Sequence, residues 1–404
     1  MEEWKLTKIG SICKRVCSGG TPKSTVEKYY GGEIPWLNTK EVNFNRIYST
    51  ESTITEDGLK NSSAKWIDKN AVIVAMYGAT AAKCAIGMIP MTTNQACCNL
   101  MIDEAKADYR FVYYSIVNSY SVLAGLANGG AQQNLNAQLI KDFAISLPSL
   151  ETQKRIADIL STIDDKIENN TRINHNLEEQ AQALYKSWFV DFEPFKDGKF
   201  VDSHLGMIPE KWLIRRADDI CPINIGKTPP RKETKWFTSE MTDPIWVSIS
   251  DMSDCGVFID NSTEKLTTEA IKKFNVIIVP EDSVLLSFKL TIGRVAIANR
   301  ALTTNEAIAR FVTNDRPLSL YLYLTLQNYD YSKLGSTSSI ATAVNSKIVK
   351  AMPVLWPGKD VVEQFAVTIL PLFNEIRKRQ TENRCLTAIR DALLPKLMCG
   401  QLTC

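Results

Sequence analysis

Histidine is almost missing from this chain: its 404 residues contain two, His175 and His204. The ten cysteines form no Cys-x-x-Cys pair, so a structural zinc site has no ligand set to draw on. Two histidines also leave little room for acid–base catalysis. There is no Gly-x-Gly-x-x-Gly loop for a dinucleotide or adenosyl cofactor, and no Gly-x-Ser-x-Gly nucleophile elbow. The Asn-Pro-Pro-Tyr or Asp-Pro-Pro-Tyr tetrapeptide of adenine methyltransferases is absent, as is any Asp/Glu–Lys constellation suggestive of a nuclease. Gly226-Lys227-Thr228 ends like a phosphate-binding loop. However, position 221 is Cys where that loop needs glycine, and Pro229-Pro230 stops the helix that should follow. The chain therefore reads as a binder rather than a catalyst, with no metal or cofactor of its own.

Other absences bound its setting. No run of 18 apolar residues occurs, so no membrane-spanning helix is expected. The start, Met1-Glu2-Glu3-Trp4, is acidic and lacks the apolar core of a secretory leader, which predicts a cytoplasmic protein with reduced thiols. The formal charge is only +2. Residues 1–150 carry 15 basic and 13 acidic side chains, and residues 200–357 carry 18 and 17, so neither half is the strongly basic body of a non-specific DNA binder. Any nucleic-acid contact must come from local patches or be shared with a partner. The length suggests about two to three domains, and the 45% hydrophobic content is enough to bury a real core.

What is present is a repeat of roughly half the chain. Trp4-Lys5-Leu6 through Ile12-Cys13 parallels Trp212-Leu213-Ile214 through Ile220-Cys221. Gly20-Thr21-Pro22 parallels Lys227-Thr228-Pro229, and Pro35-Trp36-Leu37 parallels Ile245-Trp246-Val247. Thr92-Thr93-Asn94-Gln95-Ala96 parallels Thr303-Thr304-Asn305-Glu306-Ala307. Offsets drift only between 207 and 211, as in a duplicated domain whose loops differ while the frame is kept.

Each unit ends in a long helix. In residues 151–189 the apolar positions Ile156, Leu160, Ile163, Ile167, Leu177, Leu184 and Trp188 alternate steps of the kind that form a coiled-coil seam. The same grid returns 209 residues later as Phe365, Ile369, Leu372, Ile376, Leu386, Leu393 and Leu397. Amides interrupt the first seam at Asn170 and Asn174. Asn383 falls at the position equivalent to Asn174, where coiled coils often fix register. The matched grids predict two helices packed on each other, rather than two unrelated amphipathic helices.

Within each unit the pattern is mixed α/β. Strands are expected at Ala71–Met76, Lys83–Ile89 and Cys97–Ile102, and at Val276–Val279, Val284–Phe288, Val295–Ala298 and Ala307–Val312. Helices are expected at Tyr109–Leu123 and Leu318–Tyr329, with closing strands at Phe143–Leu147 and Met352–Leu355. Residues 191–210, broken by Pro194, Gly198, Gly206 and Pro209, read as a connector.

The loops mix small, polar and basic residues suited to phosphate oxygens and base edges. Candidates for DNA contact in the first unit are Thr21, Lys23, Ser24, Asn38, Lys40, Tyr77, Thr80, Gln132, Gln133 and Asn134. In the second they are Thr228, Arg231, Lys232, Ser248, Lys289, Thr291 and Ser338. One frame with two loop chemistries favours two readers over ordinary solvated turns.

Several motifs carry a family resemblance. They are Gly19-Gly20-Thr21-Pro22, Gly130-Ala131-Gln132-Gln133-Asn134-Leu135-Asn136 and Leu147-Pro148-Ser149-Leu150-Glu151, together with the stretch from Lys166 to Asn174. Ala183-Leu184-Tyr185-Lys186-Ser187-Trp188-Phe189, Leu205-Gly206-Met207-Ile208-Pro209 and Leu393-Leu394-Pro395-Lys396-Leu397 complete them. Across essentially its whole length the chain resembles the DNA-specificity subunit of a type I restriction-modification system. Its second unit departs in lacking the Gly-Gly and Gln-Gln versions of the loops.

The resemblance implies an α+β fold of two pseudo-symmetric target-recognition domains (1–150 and 211–357). These would be joined by two antiparallel spacer helices (151–190 and 358–404) and a connector at 191–210. It implies a non-catalytic subunit that binds a bipartite site in double-stranded DNA and docks two methyltransferase subunits, with restriction subunits completing the nuclease. S-adenosylmethionine, ATP and Mg would then belong to those partners. The alternatives are a specificity subunit serving a single-chain nuclease–methyltransferase, and a coiled-coil scaffold that binds only proteins.

Overall fold

The computed structural model describes residues 4–128, 135–240, 242–253, 255–334 and 344–402. Contacts divide the chain into two units: residues 1–167 with 385–404, and the continuous stretch 168–384.

The main sheet of the first unit orders its strands Cys13–Ser18, Cys97–Ile102, Val72–Ala75, Cys84–Gly87, Asn45–Ile47. Neighbours are antiparallel except Asn45–Ile47, which runs parallel to Cys84–Gly87. Every residue of the three central strands is buried. That is why they read as short runs of small and apolar residues, interrupted by Asn99, instead of alternating. A second sheet orders Ser52–Ile54, Tyr30–Leu37, Met91–Thr93 and Trp66–Ile67. Lys5–Lys8 pairs with Ala144–Leu147.

The second unit repeats this plan. Its main sheet runs Ile223–Ile225, Ile308–Phe311, Val284–Ser287, Val295–Ala298, Phe258–Ile259, again with the last strand parallel to its neighbour. Leu213–Arg216 pairs with Pro353–Trp356 as its closing pair. In the first unit the partner of Ser52–Ile54 shifts register between Tyr30 and Ile34. In the second, Glu264–Leu266 pairs with two separate strands, Phe237–Thr238 and Ile245–Val247, so a larger insertion occupies the same irregularity.

Three expected elements differ. Val276–Val279 forms no strand and contributes one isolated bridge, Val279 to Leu302. The carbonyl of Ile277 is taken instead by the buried guanidinium of Arg310, at 2.8 Å. The expected helix Tyr109–Leu123 is two helices, Tyr109–Asn118 and Tyr120–Asn128, because the first ends at the cap Ser119. The connector is folded: Phe200–Val201 pairs with Ile208–Pro209, and Phe192 and Phe195 pack edge-on against Trp212 with ring centroids 5.5 and 4.9 Å apart.

The long helices span Leu150–Phe189 and Lys359–Met398. Within each unit their segments run antiparallel and also pack on that unit's domain. In the second unit, Ala181, Tyr185 and Phe189 share a core with Phe365, Ile369, Phe373 and Ile376 and with the domain helix Arg316–Gln327. Leu177, Leu184, Trp188 and Leu372 lie half-buried at its margin. In the first unit, Ile156 and Leu160 share a core with Leu397, Leu394 and Met398, with Leu393 at its margin. Ile163, Ile167 and Leu386 are half-buried, so the seam is not a uniform apolar strip.

Across the helix pair Asn383 meets Asn170: the Asn170 amide donates to Asn383 Oδ1 at 2.9 Å and to Glu382 at 2.8 Å. Its carbonyl accepts from Arg379 at 3.0 Å. Asn170 is completely buried, whereas the buried Oδ1 of Asn174 has no hydrogen-bond partner among the described residues. Asn170 and Arg379 are themselves 209 residues apart and so occupy equivalent positions of the repeat.

Candidate nucleic-acid interface

Strand direction gathers most of the candidate loops at one end of each main sheet. In the first unit Cys13–Ser18 and Val72–Ala75 end there, while Cys97–Ile102, Cys84–Gly87 and Asn45–Ile47 begin there. The attached loops carry Thr21, Lys23 and Ser24 (after Ser18), Tyr77 and Thr80 (after Ala75), and Asn38 and Lys40 (before Asn45). In the second unit the same end carries Thr228, Arg231 and Lys232 after Ile225, Lys289 and Thr291 after Ser287, and Ser248 ahead of Phe258. Gln132, Gln133, Asn134 and Ser338 lie outside the described residues.

A common frame holds these loops. Trp36 Nε1 donates to the carbonyl of Gly20 at 2.9 Å, and Trp246 Nε1 donates to that of Lys227 at 3.0 Å. The amides of Asn94 and Asn305 donate to the carbonyls of Leu37 and Val247, both at 2.9 Å. Gly19 and Gly226 press against the Thr-Asn turns. A Cβ would sit 2.2 Å from the Asn94 carbonyl oxygen in one unit and 1.9 Å from that of Asn305 in the other, so only glycine fits. This close approach, rather than phosphate binding, accounts for the glycine of Gly226-Lys227-Thr228.

The threonine after each glycine has an equivalent partner. Thr21 Oγ1 donates to Gln95 Oε1, and Thr228 Oγ1 donates to Glu306 Oε2. Gln95 and Glu306 are exposed. Neither stood among the sequence candidates, although their signal was present in the single difference between the two Thr-Thr-Asn turns.

The other candidates divide into exposed and internally engaged side chains. Lys23, Ser24, Lys232, Lys289 and Thr291 are exposed, and Tyr77 is 38% exposed. Asn38 caps the short turn Thr39–Glu41, which packs beside Gly78–Thr80. Lys40 pairs with Glu51 at 2.6 Å, and that hydrogen bond raises its pKa. Arg231 makes two bonds to Glu264, at 2.9 and 2.7 Å, and stacks over Phe237 and Trp246, so its guanidinium is already committed within the unit. Ser248 binds Asp251 Oδ2 through its backbone N–H at 2.8 Å and its hydroxyl at 2.6 Å. Burial pushes the Asp251 carboxyl up, but bonds from Ser248 and Thr263 outweigh it and hold the pKa below the usual value. Among the described residues no group of three His, Cys, Asp or Glu side chains could hold a metal ion. No described helix is long and apolar enough to cross a membrane.

A duplicated α/β unit that offers exposed polar and basic loops at one sheet end defines a recognition module, and comparison with known proteins assigns it. The type I restriction modification DNA specificity domain matches the chain twice, over residues 1–179 and 209–383, and the chain belongs to that family. The MjaIX specificity subunit of Methanocaldococcus jannaschii, a type I restriction enzyme subunit, is 29% identical over 99% of this chain and 94% of its own length. The HindI specificity subunit of Haemophilus influenzae is 22% identical over the full length of both. The crystal structure of the type I S subunit from M. genitalium superposes with a TM-score of 0.58 at 16% identity, covering 98% of this chain and 96% of that one.

Proposed function

We propose that this chain recognises a bipartite DNA site, each unit reading one half, and directs adenine-methyltransferase and restriction subunits to it. One observation carries this reading. The two units hold equivalent loops at the same sheet end through the same Trp, Gly and Thr contacts, yet present Gln95 in one and Glu306 in the other. A carboxamide can offer both a donor and an acceptor to adenine, whereas a carboxylate only accepts, as from the cytosine amino group. One frame with different edge chemistry suits two readers of different sequence. Lys23, Lys232 and Lys289 are exposed on loops at the same sheet ends and suited to phosphates. On this reading, methyl transfer with S-adenosylmethionine and ATP- and Mg-dependent restriction belong to the partner subunits. The chain alone performs neither.

The test is methylome sequencing of cells carrying the subunit with its methyltransferase, followed by exchange of residues 14–146 for those of a relative. One half of the methylated site should change and the other should stay. A simultaneous change in both halves would refute separate readers, and methyl transfer by the isolated chain would refute the non-catalytic role.

A further inference from the structure

Leu290 is 99% exposed, at the tip of the loop that joins Val284–Ser287 to Val295–Ala298. It is also held at φ +62°, a conformation that a bulky side chain rarely adopts. The loop beneath it is firmly braced. Ser287 Oγ accepts from the Arg294 amide at 3.0 Å and donates to the Thr291 carbonyl at 2.7 Å. The Gly293 amide donates to the Ser287 carbonyl at 3.0 Å. The Arg294 guanidinium is anchored to the Ile249 carbonyl and the Ser253 hydroxyl, both at 2.7 Å. A bulky apolar side chain is thus fixed in water on a rigid support, between an exposed lysine and an exposed threonine. The equivalent loop of the first unit carries the small residues Gly78-Ala79-Thr80 in its middle, after the 38% exposed Tyr77.

We propose that Leu290 is an apolar wedge that the second unit inserts between adjacent base pairs of its half-site, with Lys289 on the neighbouring phosphate. The inference rests on the DNA-reading function above. Partial unstacking by a wedge needs one projecting apolar group on a stiff backbone, with a cation beside it, and the loop supplies these. Its apolar tip adds only Ile292, which is 38% exposed, and is too small to dock a protein. The loop lies at the same sheet end as Thr228 and Glu306, since the Phe288 amide donates to the Ala307 carbonyl at 3.0 Å.

The test uses the complex of the full chain with its methyltransferase subunit. The probe is a duplex carrying the methylome-defined site, with 2-aminopurine placed in turn along each half. Wild type should raise fluorescence at one step of the half read by the second unit. Leu290→Ala should abolish that rise and weaken binding roughly tenfold, as expected for losing most of one buried leucine side chain. A mismatch at the same step should restore most of the loss, because unstacking no longer has to be driven. Leu290→Phe should keep the fluorescence rise. Unchanged affinity and fluorescence in Leu290→Ala would overturn the wedge, as would an equal loss on matched and mismatched duplexes, which would indicate an ordinary groove contact. If the wild-type complex binds all duplexes alike, the DNA-reading function itself fails, and that outcome is visible before any variant is made.

Discussion

Replacing Asn170 with Ala should destabilise the full chain by about 3 kcal/mol, while Asn174→Ala should leave stability unchanged or slightly raised. Asn170 is fully buried and makes three hydrogen bonds to side chains of the second long helix. Two of the partners, Glu382 and Arg379, are charged, and such bonds contribute ~1.5 kcal/mol or more each, against ~1 kcal/mol for the bond to Asn383. The loss of about 4 kcal/mol is offset by ~0.6 kcal/mol, since Ala is the better helix former. Asn174 has the same propensity term in its favour, and its buried Oδ1 makes no bond to the described residues that could be lost. Urea unfolding followed by far-ultraviolet circular dichroism reads the difference as a shift in midpoint at constant slope. A double-mutant cycle with Arg379→Met should return a coupling of ~1.5 kcal/mol. Equal destabilisation by Asn170→Ala and Asn174→Ala would refute the assignment of the buried amide to Asn170.

Burial holds the thiols of Cys97, Cys98 and Cys221 at about 12, and pushes Cys84 up as well. Iodoacetamide at about pH 8 should therefore modify exposed Cys385 and Cys399 in the native protein, while peptide mapping finds those four buried thiols labelled only after unfolding. Arg310 is 1% exposed and, among the described residues, hydrogen-bonded to the carbonyls of Ile277 and Ile225, with its pKa lowered to about 10 by burial. Because the folded state binds this proton less tightly than the unfolded state, the charge costs stability below about pH 10, and that cost is relieved as pH rises beyond it. Arg310→Met should stay within ~2 kcal/mol of wild type at neutral pH, whereas Arg310→Ala should lose ~3 kcal/mol or more through its cavity, as measured by urea unfolding. Glu306→Gln should shift base preference in the second half-site alone, read by methylation of a randomised DNA library. By contrast, Lys23→Ala should weaken all sequences alike and reduce the salt slope by ~1.

The repeat was legible in the sequence because it lies in framework residues whose spacing tolerates loop changes. Trp36 and Trp246, the two Thr-Thr-Asn turns and the long-helix grids all occupy equivalent places. Local pattern failed where tertiary contacts decided the outcome. Val276–Val279 has strand composition, but the side chain of Arg310 takes a carbonyl that a ladder would have used. Asn174 and Asn383 matched in register, yet antiparallel packing sets Asn383 against Asn170, an offset that a one-dimensional grid does not contain. In the interface, polar loops were visible as candidates. Which of them were already spent was not: Arg231 reads as a free cation until Glu264, thirty-three residues on, is brought to 2.7 Å. Leu290 lies in the same loop as Lys289 and Thr291, but nothing in the sequence marks an apolar side chain there as facing solvent.

The first unit draws Leu394, Leu397 and Met398 into the core that contains Ile156, Leu160 and Phe111, and Trp4 lies against Gly400. During synthesis this has an uneven effect. The second unit, residues 168–384, is continuous and can close as soon as it has left the ribosome. The first unit emerges earlier but must wait with part of its core open until residues 385–402 arrive. A nonsense or frameshift mutation just beyond codon 384 would thus strike the module encoded at the opposite end of the gene and spare the one beside it. While translation runs, the earliest-made half is also the one whose core stays open longest.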